Sequence, residues 1–116
     1  MTRRLTLADV EAAEDLPRED VEVPEWGGTV TVRGLNLGER LELGRLFETR
    51  PDDVIFHTVA AALETADEEP MFPDLETGIA ILRKRAAAPV KRLAEVAQRL
   101  SGFGADSDEI DATEKN

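Results

Sequence analysis

Apolar and polar positions alternate over residues 19–33. Val21 and Val23 share one side of a first extended run, and Val30 and Val32 share one side of a second, while Thr29, Thr31 and Arg33 point the other way. A period of two predicts a β-hairpin. The joint between the runs lies in "VPEWGG", residues 23–28. Gly27 and Gly28 offer the positive φ that a tight primed turn requires, and Pro24 fits a strand end or an edge. The chain's single tryptophan, Trp26, is thereby set at the tip or margin of the hairpin. There it either folds over the hairpin's apolar face or anchors another chain.

On both sides of this segment the pattern lengthens to helical spacing. Thr6 with Asp9 three residues on predicts a capped short helix through "LADVEAAED", ended by Pro17. Asn36 with Glu39 repeats the cap for a helix reaching about Glu48, with Leu37, Leu41 and Phe47 as its shared apolar face. Pro51 opens the next helix, which places Asp52 and Asp53 near its positive end and Val54, Ile55, Val59 and Leu63 along one stripe, with an end near Thr65. "ADEEPMFPD" reads as a loop whose Met71 and Phe72 dock on the core or stay exposed. Asp74 then starts a helix with Leu75, Ile79 and Leu82 aligned. Pro89 opens the last one, in which Val90, Leu93, Val96, Ala97 and Leu100 recur at spacings of three and four before a stop at Gly102. The expected fold is α+β, mostly α: a short N-terminal helix and β-hairpin, then a small bundle of about four helices, all in one domain over residues 1–102. Residues 103–116 are acidic and are expected to form a flexible tail.

Composition narrows the partners. At 116 residues the chain supports one modest core, and its formal net charge of -11 disfavours nucleic acid and anionic membrane surfaces. It has no cysteine and no apolar run of roughly 18 residues, and its N-terminus lacks the apolar centre of a signal peptide, so a soluble cytoplasmic protein is expected. The charge is polarised. Eight acids and one base lie between Asp9 and Glu25, whereas six bases and one acid lie between Arg83 and Arg99. Such opposite signs either fold back within a monomer or join copies head to tail, with Glu19, Asp20 and Glu22 of one meeting Arg83, Arg85, Lys91 and Arg92 of the next.

Catalytic chemistry finds little footing. His57 is the only histidine and sits among apolar or small neighbours in "VIFHTVA", so no catalytic residue is assigned. "DSDEID" at 106–111 lacks the central glycine and the later glutamate of a calcium loop, and no metal site or cofactor is expected. Gly27 and Gly28 belong to no phosphate-binding motif, and the basic stretch lacks interleaved aromatics. A binding protein is expected, not an enzyme.

Four stretches together resemble one family: "LTLADVEAAEDLP", "EDVEVPEWGGTVTVRGL" at 19–35, "GER" at 38–40 and "EVAQRLSG" at 95–102. They are similar to the tail assembly chaperones of long-tailed bacteriophages, the group of the XkdN type. The resemblance spans nearly the whole chain and is general over residues 44–90. It implies a non-enzymatic role: coating the long tape measure protein as a multimer during tail tube assembly, then leaving as tube subunits close around it. The tape measure protein is the implied partner, the major tail tube protein a further one, and the host cytoplasm the implied location, with absence from the mature virion. The residues expected to meet the client are Trp26, Val30, Val32, Met71, Phe72, Val90, Leu93, Val96, Ala97 and Leu100. A structural tail component, such as a completion or connector protein, and a small acidic adaptor are the alternative readings.

Overall fold

A computed structural model describes residues 2–102; the acidic tail expected at 103–116 lies outside them. The chain runs α1 (Leu7–Ala12), β1 (Arg18–Val23), β2 (Gly28–Arg33), α2 (Leu37–Thr49), α3 (Val54–Ala62), β3 (Leu63–Glu64), α4 (Leu75–Leu82) and α5 (Ala87–Leu100). The fold is α+β and mostly α, as the periodicity predicts. The strands form one antiparallel sheet in the order β1-β2-β3, with Val21 opposite Val30 and Val32 opposite Leu63.

The caps form as the sequence predicts. Thr6 and Asp9 make a complete capping box, as do Asn36 and Glu39, and the Asp74 side chain accepts from the Thr77 amide at 2.8 Å. Gly102, at φ +86°, follows the end of α5 in the left-handed conformation that suits glycine.

The hairpin turn differs from expectation. Pro24–Trp26 form a single 3₁₀ turn, and only Gly27 has positive φ, at +77°. Gly28 lies within β2, opposite Val23. The connection therefore has four residues, Pro24 to Gly27, and it holds Trp26 by its local helical turn. The third strand is also new: α3 ends at Ala62, short of Thr65, and the next two residues pair with β2.

The core lies between the sheet and α3, α4 and α5. Val21, Val23, Val32 and Leu63 of the sheet meet Val59, Ile79, Leu82, Val90, Leu93 and Ala97 of these helices. This overturns the reading of the last helix. Val90, Leu93 and Ala97 are buried in the chain's own core, as is Val32, and Val96 and Leu100 are half-buried against it. With so few aromatics, the domain has to use the apolar face of α5 for itself. The face assigned to α2 is corrected in the opposite sense. Leu37, Leu41 and Phe47 are exposed, and α2 is held through Leu43 and Leu46.

Candidate partner-binding groove

The hairpin turn, the loop before α4 and the outer face of α4 enclose an open groove of about 360 Å³. Its walls are Trp26, Val30, Met71, Phe72 and Ile81, its floor is Leu63 and Leu82, and Glu25 and Arg85 stand at its edges. A shallower depression continues from it along α4 past Thr77, Ala80 and Lys84, sharing Ile81 and Arg85. Of the ten residues assigned to the client, the structure brings Trp26, Val30, Met71 and Phe72 together here. It withdraws Val32, Val90, Leu93 and Ala97 into the core and leaves Val96 and Leu100 away from the groove. The sequence reading missed Ile81. Its signal was present, since Ile79 and Leu82 define the inward side of α4 and Ile81, two residues past Ile79, falls across the helix from it.

Each wall has a local cause. Trp26 ends the 3₁₀ turn and is half-buried against the core. Phe72 is seated by Gly78 of α4, where an added Cβ would lie 2.7 Å from its ring, so the helix approaches the loop closely only because that residue is glycine. Met71 is tied through its amide to the Leu63 carbonyl at 3.0 Å, which leaves the thioether outward. An aromatic and thioether lining over an aliphatic floor suits an apolar side chain of varied shape.

The polarised charges fold back within the chain. Arg92 of α5 donates two bonds to the Glu25 carboxylate, at 2.8 and 2.9 Å, and Arg99 does the same to Glu19 at 2.9 and 3.0 Å. The Arg92 guanidinium holds Glu25 at a pKa of about 2. Arg83 is paired with buried Asp53 and stacks over the Phe56 ring at 4.9 Å, and Asp20 accepts from the Thr31 hydroxyl at 2.8 Å. Glu19, Arg83 and Arg92 are therefore internal partners and not charges left for a neighbouring copy. Glu22, Lys84, Arg85 and Lys91 carry no ion pair among the described residues.

Other titratable groups have structural work. His57 is half-buried, and burial pushes its pKa down. Burial raises Glu39, but the Arg33 guanidinium, donating at 2.7 Å, and the Asn36 amide outweigh it and leave the carboxyl below its ordinary range. Among the described residues no group of three or more His, Cys, Asp or Glu could hold a metal ion, and no helix is long and apolar enough to cross a membrane.

No family model matches the sequence, and no curated protein matches it. In structure the chain is similar to the bacteriophage HK97 tail assembly chaperone, with a TM-score of 0.64 over 81% of this chain and 91% of that one at 21% identity. The class is thus a small α+β, helix-rich fold with an apolar groove beside its hairpin turn. It is the α+β, helix-rich fold, and not the groove, that is shared with that phage tail assembly chaperone.

Proposed function

We propose that this protein is a tail assembly chaperone of a long-tailed bacteriophage. It acts in the cytoplasm of the bacterial host as a multimer, shields the tape measure protein while the tail tube is built, and is released before the virion matures. The client is an elongated helix with an apolar face, and its side chains enter the groove walled by Trp26, Met71, Phe72 and Ile81. The major tail tube protein displaces the chaperone. No bond is made or broken in the client.

The observation that supports this reading is that groove on a fold shared with the HK97 tail assembly chaperone. A groove with one aromatic turn, one thioether and one exposed isoleucine gives each copy a weak grip. Many copies on one long client supply the avidity, and a weak single grip lets each copy be displaced. A net charge of -11 keeps the coated client dispersed.

Co-expression with a tape measure protein tests it. The expected outcome is a client found in the soluble fraction only with the wild-type chaperone, and returned to the pellet by Ile81→Asp, a change at an exposed position. A client whose solubility is the same with and without the chaperone overturns the reading.

A further inference from the structure

The first helix carries an unused apolar face. α1 closes a complete capping box at Thr6 and Asp9, yet none of its residues is buried, and Leu5, Leu7 and Val10 are 66%, 75% and 61% exposed. A six-residue helix gains little from its own hydrogen bonds in water, so a capped helix with no buried residue is stabilised when its apolar side docks against something. Carboxylates flank it: Glu11 lies one turn beyond Leu7, and Glu14 and Asp15 follow the helix, whereas Asp9 is held by Arg3 and by the cap.

The same chain holds a complementary receptor. The groove beside Trp26 is apolar; Arg85 at its edge and Lys84 in the adjoining depression, both just past the end of α4, have no ion pairs among the described residues in a chain that is otherwise strongly acidic. An apolar helix with carboxylates on its flank matches that edge in both respects.

The chain's own α1 does not fill it: none of the residues Leu7–Ala12 lines the groove.

We infer that α1 of a second copy of this chain occupies the groove beside Trp26, setting Leu7 and Val10 against Ile81 and Trp26, and Glu11, Glu14 and Asp15 against Arg85 and Lys84. The inference rests on the reading of that groove as the client site, and it makes self-association and client capture compete for one surface. The contact is heterologous, since helix and groove are different surfaces, so copies join head to tail. A groove that holds client gives up its neighbour's helix, while that copy's own helix stays free to sit in the groove of a client-free copy and keeps it linked to the multimer.

A synthetic peptide of residues 2–16, titrated against the full chain, tests this with Trp26 fluorescence as the reporter. The expected result is a saturable shift in emission, weakened about tenfold or more when the peptide carries Leu7→Ser and Val10→Ser, and weakened likewise when the chain carries Arg85→Glu. In sedimentation the wild type assembles with rising concentration, while the Leu7→Ser/Val10→Ser chain and the Ile81→Ser chain are each monomeric. Mixing the two gives a one-to-one pair, because one retains the groove and the other the helix. Circular dichroism verifies that both variants are folded. Emission unmoved by the wild-type peptide, a wild type that is monomeric at every concentration, a Leu7→Ser/Val10→Ser chain that assembles normally, or a mixture that forms no pair would each overturn the inference. The co-expression assay separates the two ideas: a client still solubilised when the peptide does not bind removes this inference alone, whereas an unaffected client with a bound peptide removes the client reading.

Discussion

Arg92 and Glu25, separated by 67 positions in the sequence, meet through two parallel hydrogen bonds that fasten the hairpin turn to α5. Glu25 precedes Trp26, so this clasp also fixes one wall of the groove. The folded carboxyl has a pKa of about 2 against an ordinary 4.5, because Arg92 donates to it. A carboxyl depressed in the folded state contributes stability that is fully present above its unfolded pKa and is lost as the pH falls through the folded one. The expected outcome is a turn that loosens between about pH 4.5 and pH 2, read as a change in Trp26 emission. Glu25→Gln should show the loosened emission already at pH 7 and no transition from this pair in the acid range.

Leu93 and Leu41 reverse the roles that periodicity alone suggests for their helices. Leu93 is fully buried where α5 packs on α3 and the sheet, while Leu41 of α2 faces solvent. Leu93→Ala should therefore cost about 2–4 kcal/mol of unfolding free energy, and Leu41→Ala should stay within about 0.5 kcal/mol. Urea denaturation of the two variants measures both. Equal losses would mean that α2 packs by the face its sequence first suggests.

The fold was legible wherever a signal was local. The caps at Thr6, Asn36 and Asp74 are side-chain bonds to amides three residues away, and the alternation of Val21, Val23, Val30 and Val32 is a property of consecutive residues; both survive into the structure. What could not be read depends on distant neighbours. Two residues of β3 carry no period, and they become a strand only because Val32 lies opposite Leu63. The stripe of α5 has the spacing of a partner surface and of a core surface alike, and the scarcity of other large side chains assigns it to the core. The two glycines look interchangeable until the 3₁₀ turn uses up Pro24 to Trp26 and leaves one position, Gly27, to reverse the chain. For the groove, Trp26, Val30, Met71 and Phe72 were nameable as apolar residues in or near loops, whereas their meeting with Ile81 required the packing of α4.

Trp26 takes both of the roles that its place in the hairpin allows. It is half-buried against the core and also forms a wall of the groove. Trp26→Ala should lower stability by about 1–2 kcal/mol, less than a fully buried aromatic would, and thus lower Tm by roughly 5–10 °C for a domain of this size. A thermal melt checks the first half, and client solubilisation at a temperature where the variant is folded checks the second. An unchanged Tm would place the ring wholly at the surface.

Arg18 and Arg33 face each other in the β1–β2 register, an arrangement of like charges that a sheet does not tolerate unaided. Glu64 on β3 resolves it. Its carboxylate accepts from Arg18 at 2.7 Å and lies 3.7 Å from Arg33, with only 6% of the side chain exposed. Arg33 is also held by Glu39, so the cluster ties the sheet to the start of α2. Removing this buried carboxylate leaves two guanidinium groups opposed at the sheet's end, and Glu64→Gln should cost about 2–3 kcal/mol, below the full range for a broken buried pair because Arg18 is partly solvated. The companion change separates charge from shape. With Arg18→Met added, the like-charge opposition is gone, and the double variant should recover a substantial part of the loss. Chemical denaturation around the double-mutant cycle measures the coupling, and a double variant no more stable than Glu64→Gln alone would show that the carboxylate stabilises the sheet by some means other than neutralising that pair.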